Sequence, residues 1–100
     1  MIVMCIESMD KPRIKVDFNE RMEPDLVLIS KTDERTDSEG NIIKLSTGTF
    51  VYLYEYNKYD DGEEEYLFAE GFVELNDKLM NKHAKWSCRI NDKGIVAKYT

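Results

Sequence analysis

One hundred residues with a net charge of −6 make one domain, long enough to bury a core without metal or disulfide support. The 42% hydrophobic content excludes a disordered chain, and no apolar run approaches the roughly 18 residues of a membrane span. The charge is uneven. Residues 1–76 hold 18 acids and 8 bases, residues 77–100 hold 2 acids and 6 bases. An acidic field of this kind repels nucleic acid and anionic membrane and attracts basic partners.

Taken in chain order, residues 1–10 are apolar but lack a basic leader region and a small-residue cleavage site, and Glu7 and Asp10 interrupt them. They read as an N-terminal arm or an extra strand of a cytoplasmic protein, with Met9 a second candidate start. Residues 13–18 alternate Ile14, Val16 and Phe18 with Arg13, Lys15 and Asp17, the pattern of a half-buried strand. Residues 19–24 are polar, end in proline and read as a connector. Residues 25–30 are a more buried strand, residues 31–41 a polar loop with Gly40 at its turn, and residues 42–45 a brief strand.

Residues 49–75 form the centre of the chain. Two runs rich in β-branched and aromatic residues flank an acidic segment with Asp61-Gly62, a strong hairpin signal. Side chains alternate along a strand. Val51, Leu53, Leu67, Ala69, Val73 and Leu75 therefore share an aliphatic face. Phe50, Tyr52, Tyr54, Tyr56, Tyr66, Phe68 and Phe72 share an aromatic one, with Glu70 and Glu74 among them. Asn76 or Asp77 is placed to cap a single helical turn before His83. Residues 84–90 put Ala84, Trp86, Cys88 and Ile90 inward and Lys85, Ser87 and Arg89 outward. Residues 91–94, Asn-Asp-Lys-Gly, read as a four-residue hairpin loop leading into a last strand at 95–99.

Five to seven short strands with glycine turns and no long amphipathic helix predict an all-β fold over residues 1–100. A small SH3-like barrel is the first expectation, with an OB-like barrel or a small β-sandwich as alternatives. The expected core is Val51, Leu53, Leu67, Ala69, Val73, Leu75, Trp86, Cys88 and Ile90. Cys5 and Cys88 are too far apart to form a disulfide framework and are expected as free thiols.

Catalytic and metal chemistry find little footing. His83 is the single histidine, in a polar loop, with no orienting partner identifiable for a general base. No nucleophile elbow, zinc-ligand pair or phosphate-cradling glycine loop occurs. An EF-type calcium loop starting at Asn57 places Asp61 and Gly62 correctly but fails at Tyr59 and at Phe68, where the bidentate glutamate belongs. No cofactor, no metal and no enzymatic activity are expected. A stacking platform for single strands, with Lys85 and Arg89 meeting phosphates, is opposed by Glu70, Glu74 and the acidic hairpin tip.

What remains is a binding surface. Asp60, Asp61, Glu63, Glu64 and Glu65 gather at the hairpin tip, where Tyr54, Tyr56, Tyr59 and Tyr66 supply rigid aromatic contacts. Together these nine residues are the candidate site for a basic protein partner. No family motif is present. As a class, the small, acidic, β-rich, site-free profile resembles bacterial toxin-immunity and inhibitor proteins, which implies a non-enzymatic protein masking the cationic cleft of a nucleic-acid-processing partner. The alternative is a structural β module, homodimeric through its aromatic face. A single-strand-binding barrel comes third.

Overall fold

The computed structural model describes residues 11–77 and 84–99. Among these the fold is all-β, with nine strands and no helix: β1 Ile14–Lys15, β2 Arg21–Glu23, β3 Leu26–Ser30, β4 Glu34–Thr36, β5 Ile42–Lys44, β6 Phe50–Lys58, β7 Glu64–Leu75, β8 Trp86–Ile90 and β9 Val96–Tyr99. The count exceeds the expected five to seven because two polar pieces read as loops are paired. β2 lies inside the supposed connector and pairs with β3, and β4 lies inside the supposed 31–41 loop and pairs with β5. The N-terminal arm with Cys5, and the proposed helical turn with His83, fall outside the described residues.

Seven strands make one mixed sheet in the order β1-β6-β7-β8-β3-β2, with β9 also on β7; β4 and β5 form a separate ribbon. The β6–β7 hairpin is its spine. Nine consecutive pairs run without a break from Phe50↔Phe72 to Lys58↔Glu64. At about 3.3 Å per residue the twelve residues of β7 span about 40 Å, close to the 46 Å long axis of the molecule. The aliphatic face of the hairpin's base meets β1, β3 and β8 in one cluster: Ile14, Val16, Phe18, Val27, Ile29, Leu45, Val51, Leu53, Ala69, Val73, Trp86, Cys88 and Ile90. Gly71 belongs to this face for a steric reason. A Cβ there would lie 1.9 Å from the Arg89 carbonyl oxygen, so only glycine lets β8 close on β7.

The expected closed barrel is not formed by any ladder among the described residues, since nothing pairs β1 with β2 or β3. The sheet is nevertheless curled. β1 and β3 stand four places apart in strand order, about 19 Å on a flat sheet. Yet the Arg35 guanidinium donates both to the Ile29 carbonyl on β3 and, at 2.5 Å, to the Lys15 carbonyl on β1. A side chain thus spans the seam that a backbone ladder would close, beside an open groove of about 380 Å³. The β4–β5 ribbon is tied to the curled sheet's open side. Its turn exchanges bonds with Arg13 (Ser38 N to Arg13 O, 2.8 Å; Arg13 N to Ser38 Oγ, 3.0 Å), and Leu45 enters the core.

Residues 91–94 are not a hairpin loop. β8 and β9 do not pair with each other. Both run antiparallel to β7 along the same edge, β8 against Gly71–Leu75 and β9 against Glu65–Phe68. The intervening residues step out and back, held by Asn91 N to Glu70 O at 2.9 Å and by the turn bond Gly94 N to Asn91 O at 3.1 Å. Three placements also change. Leu75 is 54% exposed, beyond the last core position at Val73. Ser87 is fully buried because Asn76 accepts its hydroxyl proton at 2.8 Å and donates to Ala84 O at 2.8 Å, so Asn76 braces the start of β8. Arg13, expected in solvent, is buried.

Candidate functional site

The hairpin tip follows from its turn residues. Gly62 N bonds Tyr59 O and Tyr59 N bonds Glu63 O, both at 2.9 Å, and Gly62 takes φ 90°, where a side chain would strain. Asp61 Oδ1 accepts the Glu63 amide at 2.9 Å, an Asx turn that stiffens the loop. Asp60, Asp61 and Glu63 are exposed, and no cation pairs with them among the described residues. The other two acids of the expected cluster are placed differently. Glu64 is half-buried beside Tyr56; burial of the phenol, then the Glu64 carboxylate, push Tyr56 above its ordinary pKa. Glu65 is buried and accepts the Tyr59 hydroxyl at 2.5 Å.

Alternation divides the nine candidate residues over two faces. Tyr54, Tyr56, Glu64 and Tyr66 lie on the outer aromatic face, where Tyr56 and Tyr66 pack with ring centroids 5.0 Å apart. Tyr59 and Glu65 lie on the opposite face, which carries the core at the hairpin's base. The structure therefore brings Tyr54, Tyr56 and Tyr66 together on one face, with Tyr56 and Tyr66 toward the exposed tip acids and Tyr54 farther down the hairpin opposite Phe68, and separates Tyr59 and Glu65 from them.

The aromatic face continues toward the base as a run of rings: Tyr66–Phe68 at 6.0 Å, Phe50–Tyr52 at 5.3 Å and Phe50–Phe72 at 5.0 Å. It is not bare. The Arg13 guanidinium lies 4.2 Å over Phe68 and 5.8 Å from Tyr52, and donates to Leu53 O and Ala69 O at 3.1 and 3.2 Å. Lys11 Nζ sits 4.4 Å over Tyr52. Such cation–π contacts contribute roughly 0.5–2 kcal/mol each. Lys11 and Arg13 went unnoticed in the sequence reading because a charged residue alternating with Ile14 signals solvent. Phe50, Phe72 and Tyr56 remain 40%, 53% and 36% exposed.

The two bases assigned to phosphates are otherwise engaged. Lys85 pairs with Asp33 at 2.8 Å, and Trp86 Nε1 donates to the same carboxylate at 2.9 Å; Lys85 first, and Trp86 next, hold the Asp33 carboxyl below its usual range. Arg89 meets Glu74, Glu23 and Asp25 at 3.0 to 3.3 Å, and these carboxylates, Glu74 foremost, raise its pKa. Glu70, expected as an acid on the aromatic face, is held by Lys93 at 3.1 Å and Asn91 at 3.3 Å, with Lys93 the larger cause of its lowered pKa.

Among the described residues no group of three His, Cys, Asp or Glu side chains is arranged to hold a metal ion, and no helix is long and apolar enough to cross a membrane. Cys88 is a free thiol, fully buried; burial first, and Glu74 next, push its pKa up to about 12, so it has little thiolate at neutral pH. The chain matches no protein-family model, no curated protein and no solved structure.

Proposed function

We propose that this chain is a non-enzymatic binding protein of the bacterial cytoplasm that engages a basic protein surface with the acidic end of its central hairpin. In its sharpest form it is an immunity protein or inhibitor that masks a nucleic-acid-processing partner. One observation carries the reading. Asp60, Asp61 and Glu63 fall within four consecutive positions of a stiffened turn and make no ion pair among the described residues, whereas Asp33, Glu70, Glu74, Glu23 and Asp25 are all paired. Unpaired like charges at a tip add nothing to a core, and they raise the encounter rate with a basic patch. Tyr56 and Tyr66 stand on the hairpin face behind them as contact rings, with Tyr54 next in line toward the base. The buried Glu65 and its partner Tyr59 brace the strand behind the tip. The curled, Arg35-spanned sheet is read as a variant of a small SH3-like barrel presenting that tip. Neither a metal nor a cofactor enters this reading, and the engagement of Lys85 and Arg89 by carboxylates speaks against nucleic acid as the ligand.

The test is kinetic. Affinity capture from a bacterial lysate, with wild type beside an Asp60→Asn, Asp61→Asn, Glu63→Gln variant, yields a basic protein held by the first and lost by the second. With the isolated partner, stopped-flow association of the variant is about tenfold slower or more and loses most of its salt dependence. Equal rates and equal salt slopes would reduce the acidic tip to a solubilising feature.

A further inference from the structure

The hairpin that ends in the acidic tip carries a basic groove on its aromatic face. Four bases and one acid line it: Lys11, Arg13, Lys93, Lys98 and Glu70, around a hollow of about 240 Å³ bounded by Phe68 and Val96. Lys98 is exposed on β9 opposite Tyr66, and it has no ion pair among the described residues. Lys93 is 73% exposed on the excursion between β8 and β9, where it neutralises Glu70. In a chain of net charge −6 this is a concentrated patch of the opposite sign. Six residues of strand separate Gly62 at the tip from Phe68 in the groove, about 20 Å.

An acidic knob at the end of a hairpin and a basic hollow on its face are self-complementary. A two-fold axis crossing the hairpin between them, near Tyr56 and Tyr66, lays a second copy antiparallel on the first. It puts each tip in the other's groove, the isologous arrangement of most homodimers. The midpoint of the span from Gly62 to Phe68 is Glu65, so Tyr56 and Tyr66 then lie beside the axis. The occupant is drawn from the page: the groove calls for a protruding, unpaired anionic group, and Asp60, Asp61 and Glu63 of a second chain are one.

We propose that this protein forms an antiparallel homodimer in which the Asp60, Asp61 and Glu63 tip of each chain docks into the Lys93 and Lys98 groove of the other. The contact uses the surface assigned above to the basic partner, so partner binding and self-association compete for the tip.

Sedimentation equilibrium of the full chain tests this with reciprocal charge swaps. Wild type is a dimer at low salt and dissociates as salt rises, because the contacts are exposed to screening. K93E/K98E sets acid against acid, D60K/D61K/E63K sets base against base, and each raises the dimer dissociation constant by about tenfold or more. Mixed in equal amounts the two restore a heterodimer, since both of its contacts are then opposite in sign. Tryptophan fluorescence of each variant reports that Trp86 stays buried, and the rescue itself requires both chains to be folded. A wild type that stays monomeric at low salt up to about 1 mM, near −4 kcal/mol of association, overturns the proposal. So do a dimer indifferent to both swaps, a mixture that fails to associate, and a groove that binds inorganic phosphate with no self-association. K93E/K98E leaves the acidic tip intact and still captures the basic partner, so failure here and failure of the partner reading are told apart.

Discussion

One unbroken register joins two unlike halves of the β6–β7 hairpin. In the base, the inward positions are Val51, Leu53, Ala69 and Val73, all buried. In the outer half the same alternation places Glu55, Asn57 and Glu65 on that face, with Leu67 only partly buried where the halves meet. The backbone bonds are alike in both. The difference is what the side chains leave behind: the base is fixed by burial and its composition is constrained, while the tip is held by its turn and by pairs such as Tyr59–Glu65 and is free to be shaped for a partner. Position along one strand pair therefore separates the half that carries the core from the half to which recognition is proposed.

The strongest way to break that contrast is to attack the base. Trp86 is 8% exposed, packs in the core and donates to Asp33. Trp86→Ala removes the ring and the donor, and costs about 3–5 kcal/mol in a denaturant titration. A cost below about 1 kcal/mol, the level of ordinary surface changes, would mean that the core does not extend to β8. Gly71→Ala comes next. The added methyl meets the Arg89 backbone, which cannot rotate away as a side chain could, and overpacking of this kind costs about 1–3 kcal/mol. An unchanged midpoint would show that β8 shifts freely along β7.

These two residues also mark what a sequence can disclose. Trp86 was legible because it alternates with Ala84, Cys88 and Ile90, and Gly71 was invisible because its reason is a carbonyl eighteen positions away. Arg13 was misread because its acceptors, Leu53 O and Ala69 O, arrive from two other strands, and local alternation knows only that arginine is charged. The Asn91-Asp92-Lys93-Gly94 segment carries good turn chemistry and does turn. Whether a turn reverses the chain or returns it to its line depends on which edge receives the next strand, and here β7 is long enough to receive both. Glu65 was counted with the loop because five acids in six residues look like one cluster, yet the ladder begins at Glu64. Leu75 obeyed the alternation and stays exposed, since a pattern continues past the point where the core ends.

A change of pH tests the base and its surroundings, more weakly. Asp33 and Glu70 have folded pKa values below their ordinary 3.8 and 4.5. Groups depressed in this way contribute stability above their unfolded values and lose it as pH falls through the folded ones. Stability therefore declines as pH drops from about 4.5, and Asp33→Asn with Glu70→Gln flattens that decline. A profile unchanged by both would remove the two pairs from the account. Cys88 acts at the other end of the scale. Raised to about 12 from 9.0, it stabilises the fold fully below pH 9.0 and loses that contribution as pH climbs toward 12. At neutral pH a thiol reagent finds Cys88 only after denaturation; without reductant, the unfolded chain yields two thiols, counting Cys5.

The smallest effect is the one that defines the tip. Asp60→Asn, Asp61→Asn and Glu63→Gln touch no apolar contact, leave Gly62 in place, and keep at residue 61 an oxygen able to accept the Glu63 amide. Removing three neighbouring charges relieves repulsion that salt already screens over about 8–10 Å. The change in unfolding free energy should stay within about 0.5 kcal/mol, with its sign toward greater stability at low salt. Backbone amides in residues 57–65 should exchange faster than those of Val51, Leu53 and Val73 in wild type and variant alike, because the outer half opens without disturbing the core. If the triple variant instead lost more than about 1 kcal/mol, the carboxylates would be holding the hairpin together. The tip would then belong to the same stabilising system as the base, and its charge could not be assigned to recognition.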